Sequence, residues 1–374
     1  MLGACPLVAA QVLCDDARVS LTRAVQVSLG VAGIALGVLA YQVQIESLGP
    51  FTTPARALAI VAVGLSFLLA GLIAWSRKPA NRVGPLMVAA GLALLVRQLR
   101  YGHDPVVFTL FFALGHVGYA LVGHSVLAYP SGRISDRYER ALVTVGYAVV
   151  LVFPLAVLLF YDGPRPLIEF PTSRESLFVL AGDDGVVQAL QKAFVVVFYG
   201  VLATTFIALV VRRLVHATPR GRRILAPLLL FAIALALRAV YECVSVFVDQ
   251  RVAHVYLFWW QIIAFIALPL ALLAGLLRAR LARVHVSELV VHLEQTPVEG
   301  IRDELAEALD DRTLEVGLWL PERREYVDAA GGAFTVPDDG PARAVTRIEH
   351  DGEPLAVLVH DPSLRDEPKL VEAV

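Results

Sequence analysis

The sequence predicts a polytopic α-helical membrane bundle of about eight spans, followed by a small α+β domain. Hydrophobic residues make up 57% of the chain and charged residues only 18%, which is far more apolar than an average soluble protein. Segments long enough to cross about 30 Å of hydrocarbon recur along its first three quarters. After Arg283, short β-branched runs and turn signals replace them. We therefore assign residues 1–277 to the membrane region, 278–295 to a helical linker and 296–374 to the small domain.

The apolar segments and the charges between them predict the topology. The predicted spans are 24–43, 57–75, 83–99, 106–129, 141–160, 193–211, 224–248 and 255–277. Lysine and arginine concentrate in cytoplasmic loops, and the loops around 77–82, 133–140 and 212–223 are rich in them. These loops alternate with loops that are poor in basic residues. An even number of crossings then places both termini in the cytoplasm of a multi-pass plasma-membrane protein.

Charge and cysteine usage narrow the functional classes. The chain has 32 basic and 34 acidic residues, so a nucleic-acid partner is not expected, whereas membrane lipid is. Cys5, Cys14 and Cys243 lack metal-ligand spacing, so neither a disulfide framework nor a zinc site is predicted. No cofactor is predicted.

The small domain shows both helical and strand patterns. The stretches "VSELVVHLEQ" and "GIRDELAEALDD" predict short amphipathic helices, and "TLEVGLWL", "REYVDA", "ARAVTRIEH" and "PLAVLVH" predict strands separated by turns. Such short connections favour antiparallel pairing. No glycine or proline lies between Leu276 and Glu294, so a continuous helix is expected to lead from the last span into this domain.

Ionisable residues inside the predicted spans are the candidate functional residues, because each costs about 2.5–3.5 kcal/mol at the bilayer centre. Arg238 and Glu242 lie four residues apart on one helical face. An internal ion pair is predicted, and a signal-binding role is the alternative. Arg97 and Arg100, near the end of the third span, are expected to extend to the interface. Arg97 is also an alternative partner for Glu242.

Two histidines belong to the fourth span. His116 and His124 are eight residues apart, which predicts a shared face and a separation of about 12 Å along the helix axis. That distance excludes one metal held by both, and no other predicted span contains a histidine for a shared haem. A packing role is predicted, with pH sensing as the alternative. The candidate polar cluster is thus Arg97, His116, His124, Arg238 and Glu242, and no catalytic, cofactor-binding or metal-binding residue is predicted.

The loop at 161–192 is the longest on the outer side. It is rich in turn residues. Either a ligand lid or a solvated connector with a surface-lying apolar piece is expected.

Four stretches resemble one protein family: "RKPANRVGPLMVAAGLALL" (77–95), "ALVGHSVLAYPSGRI" (120–134), "TLEVGLWLPERREYVDAAG" (313–331) and "DGEPLAVLVHDPSLRDEPKLVEAV" (351–374). They look like the N-terminal region of actinobacterial two-component sensor histidine kinases. The resemblance implies a homodimer with a membrane sensor region and a GAF-like cytoplasmic domain. In that family a phosphoacceptor helix and a GHKL-type ATPase domain follow, and the response regulator is engaged through that kinase core.

Two short segments of the sequence look like kinase motifs of this family but do not match them. His360-Asp361 ends an apolar run before Pro362, which predicts a strand end and not a phosphoacceptor helix. Asp338-Asp339-Gly340 is predicted to be a turn. Pro368 is a suitable helix start, but the stretch after it is only about two turns long. The chain is therefore expected to be a fragment, or the product of a gene that has lost its catalytic half.

The predicted function is signal input to a sensor kinase, relayed through the last membrane helix to the GAF-like domain. A transporter or channel with a regulatory domain is the alternative, although no internal repeat and no paired Gly/Pro-interrupted spans are visible. An intramembrane hydrolase lacks a nucleophile with partners at motif spacing. Trp319 and Tyr326 are equally consistent with core and with ligand contact.

Overall fold

A computed structural model describes residues 6–48, 52–163, 176–217, 219–248, 254–293, 298–309, 311, 313–329, 331–340, 343–350, 353–362 and 364. The chain divides into two compact units. The first comprises residues 1–211 and 228–273, and the second comprises 212–227 and 274–374.

Ten α-helices of the described residues precede the small domain: α1 Pro6–Leu48, α2 Pro54–Arg77, α3 Val83–Val96, α4 Pro105–Ala113, α5 Val117–Ala128, α6 Arg137–Phe160, α7 Asp184–Phe194, α8 Ala203–His216, α9 Pro219–Val248 and α10 His254–Leu293. They provide eight segments that are long and apolar enough to cross a membrane: Thr22–Ser47, Pro54–Arg77, Val83–Tyr101, Pro105–Ala128, Arg137–Phe160, Asp184–His216, Leu225–Val248 and Tyr256–Leu277. Every predicted span is confirmed as such a segment.

Several helices begin at a residue type that caps helices well. Thr53, Asp104, Asp136 and Asp183 each accept a hydrogen bond from a backbone N–H two or three residues further on. Such bonds satisfy N–H groups that have no partner within the helix. The ends of these spans are therefore fixed locally by the sequence.

Close packing of α2 against α3 depends on glycine. A Cβ atom on Gly71 would lie 2.6 Å from the backbone nitrogen of Val88, and one on Gly91 would lie 2.5 Å from that of Leu68. Real Cβ atoms do not approach backbone so closely. Small residues permit this approach where lipid tails offer no hydrophobic drive for helix association.

The loops that follow α2 and α5 are joined by one side chain. Asn81 Nδ2 donates to the carbonyl of Pro130 at 2.7 Å, while Asn81 Oδ1 accepts from the backbone nitrogen of Val83 at 2.9 Å. Gly132 has a φ of 81°, and a Cβ there would lie 2.6 Å from Asn81 Oδ1. Two of the family-like stretches thus contact each other, and Asn81 and Gly132 have structural roles in that contact.

Three spans are irregular, which the sequence patterns did not predict. The fourth is interrupted between α4 and α5 at Leu114–His116, the third ends in a 3₁₀ turn at Arg97–Tyr101, and the sixth contains a π-helical segment at Val195–Leu202. The expectation of uninterrupted spans was therefore wrong for the fourth. Irregular backbone at membrane depth is tolerated where it is buried in protein or lines a cavity.

Helix α10 continues well past the last span. The separate short helix predicted from "VSELVVHLEQ" is the end of this 40-residue helix, because no glycine or proline interrupts it there. Residues 294–297, and the helix start predicted at Pro368, lie outside the described residues.

The small domain contains a four-stranded antiparallel sheet in the order β2-β1-β4-β3. Its elements are α11 Val298–Ala308, β1 Glu315–Leu320, β2 Glu325–Val327, β3 Ala344–His350 and β4 Glu353–His360. All four predicted strands and their antiparallel pairing are confirmed. Leu305 and Leu309 form a core with Leu314, Leu358 and Leu364.

The residues that imitate kinase motifs have structural roles in this sheet. His360 ends β4, is only 2% exposed, and places Nε2 2.9 Å from the hydroxyl of Thr346. Asp339 lies in the loop before β3, where its carboxylate accepts from the backbone nitrogen of Val345. The predicted strand end is thus confirmed, and Asp338-Asp339-Gly340, predicted to be a turn, lies in the loop before β3.

Trp319 and Tyr326 face each other across β1 and β2, with ring centroids 5.0 Å apart. Cross-strand aromatic pairs of this kind stabilise a sheet. This contact accounts for both residues by packing.

Replacing Gly91 by alanine is expected to destabilise the chain by about 1–3 kcal/mol, because overpacking against rigid backbone forces helices apart. The matched control is Gly146→Ala on α6, where a Cβ would have no atom within 4 Å. Thermal unfolding of the purified chain in detergent measures both. Equal loss of stability in the two variants would contradict the packing account.

Candidate intramembrane binding site

A cavity of about 380 Å³ lies inside the first unit. It is lined by the 3₁₀ turn, α5, α6, the π-helical segment, α8, α9 and α10. Its volume falls within the range of about 300–1,000 Å³ that is typical of small-molecule sites. Two of the three irregular segments therefore border one cavity.

The cavity brings together four of the five residues in the predicted polar cluster. Arg97, His124, Arg238 and Glu242, from three different spans, all line it. The sequence singled out each residue by its cost in a membrane, but no pattern in one sequence indicates which spans are neighbours.

His116 is the exception. It lies at the turn before α5 and lines a separate pocket of about 40 Å³. Its ring packs edge-on against Phe194, with centroids 4.6 Å apart. The expected shared face with His124 was wrong: the two histidines line different pockets, because eight residues turn a helix about 80° beyond two full turns. The aromatic contact agrees with the predicted packing role.

Arg238 and Glu242 form the predicted ion pair. Arg238 Nη1 donates to Glu242 Oε2 at 2.5 Å. The guanidinium also lies 5.7 Å from the ring centroid of Tyr241. Arg238 Nε is buried and has no hydrogen-bond partner among the described residues. One donor of this arginine is therefore not used by the ion pair.

Arg97 and Arg100, which were expected to extend to the interface, belong to the 3₁₀ turn at the end of the third span. Both line the cavity, and Arg100 is only 1% exposed. In a 3₁₀ helix, residues i and i+3 are eclipsed, so this turn presents both side chains on one side. Arg97 lies 5.0 Å from the ring centroid of Tyr119.

Gly115 makes room for the second of these arginines. A Cβ on Gly115 would lie 3.2 Å from Arg100 Nη1, so a larger residue in the interruption would crowd the guanidinium. The interruption of the fourth span and the burial of Arg100 are thus linked. The spacing of three residues between Arg97 and Arg100 was the signal for a shared role, because it places two side chains on one face in an α-helix as well as in a 3₁₀ helix.

Two further polar side chains complete the wall. His124 places Nδ1 3.2 Å from the hydroxyl of Tyr147 on α6. Gln261 on α10 lines the cavity and was missed by sequence reasoning. Its signal is a single amide within the apolar stretch "FWWQIIAF".

The wall carries a marked charge excess. Arg97, Arg100 and Arg238 contribute three guanidinium groups against the single carboxylate of Glu242, a formal excess of two positive charges. Guanidinium recognises carboxylate and phosphate with directed hydrogen bonds. The chemistry that this arrangement supports is binding of an anionic group among the spans.

No family model, curated protein or solved structure matches this chain. The fold and the site define a multi-pass α-helical membrane protein with a small antiparallel α+β domain and a cavity among its spans that is lined by three arginines and one glutamate. The likeness to sensor kinases depends on the four sequence stretches alone.

Glu242→Gln is expected to destabilise the chain by about 1–3 kcal/mol, because it leaves the Arg238 charge without its counter-charge inside the span. The double variant Arg238→Met with Glu242→Leu is expected to recover much of that loss, since it removes both charges. Thermal unfolding in detergent measures the series. Parental stability in Glu242→Gln would show that the ion pair contributes nothing.

Proposed function

We propose that the chain is the membrane-embedded signal-input region of a two-component sensor histidine kinase. Residues 1–277 receive a stimulus, and the small domain is GAF-like and passes it on toward a kinase core, through which a response regulator is engaged. The protein works as a homodimer in the plasma membrane with both termini in the cytoplasm. The four family-like stretches and the distribution of arginine among the loops support this proposal.

One observation carries the relay. Helix α10 lines the cavity through Gln261, Phe265 and Leu268, and the same helix continues to Leu293. The 25 residues beyond Leu268 correspond to roughly 37 Å of helix. An occupant of the cavity therefore touches the element that leads out of the membrane region.

A proline lies directly beside the cavity on this helix. Pro269 follows Leu268 inside α10, and proline has no backbone N–H, so the carbonyl of Phe265 cannot receive its usual helical hydrogen bond. Proline inside a helix favours a kink. A change in cavity contents is thus well placed to alter the direction of the helix that follows.

A contact between aromatic and basic residues supports the predicted alternation of spans. The guanidinium of Arg56, near the start of α2, lies 5.4 Å from the ring centroid of Phe258, near the start of α10. Both helices therefore begin on the same side, as an even number of intervening crossings requires.

The relay is tested by inserting residues into α10, which changes its helical phase, that is, the rotation of the residues after the insertion about the helix axis. The chain is fused after Val374 to the dimerisation and ATPase core of a two-component kinase and reconstituted into vesicles. Alanines are inserted after Arg283, where each residue rotates the following helix by about 100° and seven residues add about two full turns. Two inserted alanines are expected to change autophosphorylation several-fold, and seven are expected to restore it.

The matched control places the same insertions in the turn between Gly331 and Gly332, away from α10. Autophosphorylation that is indifferent to the α10 insertions, or equally sensitive to both sets, would exclude a relay through this helix.

A transporter is the second candidate, favoured by the interrupted fourth span near a polar cavity. Discontinuous spans at a substrate site are common in secondary transporters. Uptake of labelled anionic amphiphile by vesicles that contain the chain would favour transport, and saturable binding without uptake would favour signal input.

A further inference from the structure

We propose that the cavity binds an amphiphile with one oxyanionic head group, carboxylate or phosphate, and an apolar tail. Binding itself does not require the kinase assignment; only the role of this molecule as the stimulus rests on the proposed function.

The head-group assignment follows from the charge and chemistry of the wall. Three guanidinium groups and one carboxylate face the cavity, and the carboxylate is already bonded to Arg238. The oxygen atoms of an anionic head group would accept hydrogen bonds from guanidinium groups that line the cavity, in a region where each charge is costly.

The order of residues along the spans separates a polar end from an apolar end. Arg97 and Arg100 lie where the third span ends, and Gln261 lies near the start of the eighth. Because consecutive spans run in opposite directions, these residues lie toward the same end of the bundle. Glu242, in the second half of the seventh span, belongs to the same end.

The other end of the cavity is apolar apart from one imidazole. Its lining comes from the end of α5, the beginning of α6, and α8, and includes Val126, Leu127, Leu142, Val143, Ala203 and Phe206. His124 is the exception, and its ring is close to the Tyr147 hydroxyl. A polar head at one end and an apolar tail at the other match this division.

The apolar end has room for a tail. Gly146 lines the cavity, and a Cβ built there would have no atom within 4 Å. A leucine at this position would therefore occupy cavity space without altering its charge. This provides a test of tail binding that is independent of the arginines.

The aromatic rings beside the arginines favour a ligand over a structural water cluster. Arg97 lies over Tyr119, and Tyr119 packs 5.8 Å from Phe265 on α10. The head-binding end is thus connected by ring contacts to the helix that leaves the membrane region. Ligand pockets combine such aromatic walls with a few directed polar groups.

The test measures saturable binding of labelled dodecanoate to the full chain in phosphatidylcholine nanodiscs, with empty discs as the measure of partitioning. Dodecanol has the same tail without the charge, and dodecyl phosphate exchanges the head group. Inorganic phosphate supplies the charge without the tail. Dodecanoate or dodecyl phosphate is expected to bind at least about tenfold more tightly than dodecanol, as loss of charge-assisted hydrogen bonds implies.

Two variants assign the two ends of the ligand. Arg97→Gln with Arg100→Gln is expected to weaken binding of the anionic amphiphiles about tenfold and leave dodecanol unchanged. Gly146→Leu is expected to weaken binding of all the amphiphiles, because it fills the tail region. The matched control is Arg56→Gln, which removes an arginine that also lies over an aromatic ring at a span end but does not line the cavity.

Equal binding of dodecanoate, dodecyl phosphate and dodecanol by the parent would overturn the head-group assignment. If Arg56→Gln and the Arg97/Arg100 variant lost the same affinity for the anionic amphiphiles, the assignment of the binding site to this cavity would be wrong. If inorganic phosphate displaced labelled dodecanoate as effectively as dodecyl phosphate does, the assignment of an apolar tail to the ligand would be wrong. If the arginine variant does not fold, the comparison of ligands on the parent and the Gly146→Leu result decide the proposal.

The binding test and the kinase fusion test separate claims, so either one can fail while the other succeeds. Binding of dodecanoate with no phase dependence of autophosphorylation would keep the ligand site and exclude the relay. A phase-dependent fusion whose cavity binds none of these amphiphiles would keep the relay and exclude this ligand class.

Discussion

Charge held inside an apolar bundle is the constraint on which the rest of the membrane region depends. Arg97, Arg100 and Arg238 face one cavity with a single carboxylate, Glu242. Placing each guanidinium group inside the membrane costs several kilocalories per mole of free energy. The bundle accommodates them through an ion pair, tyrosine rings and a glycine that leaves space for Arg100. These accommodations produce a cavity instead of a filled core.

The irregular backbone segments follow from the same constraint. A 3₁₀ turn presents Arg97 and Arg100 on one side, and the interruption before α5 removes the side chain that would crowd Arg100. The π-helical segment contributes Tyr199 to the wall.

The spans and the sheet could be predicted from sequence because each has a strong local signal. Long apolar runs locate the eight spans, and alternation with turns locates β1 to β4. The Arg238–Glu242 pair was also predictable, since both partners lie on one helix. Neither the cavity nor the place of Gln261 in it could be predicted, because both depend on which spans pack together. The shared face expected for His116 and His124 failed because eight residues turn a helix about 80° beyond two full turns, and the two rings line different pockets.

Occupancy of the cavity and the state of α10 are the two parts of the account that must be linked. Hydrogen–deuterium exchange along α10, in nanodiscs with and without saturating dodecanoate, measures that link directly. The account predicts that dodecanoate changes exchange on both sides of Pro269, including residues 270–293, which lie beyond the last cavity-lining residue. A change confined to residues before Pro269, with residues 270–293 exchanging as in the unliganded chain, would contradict it.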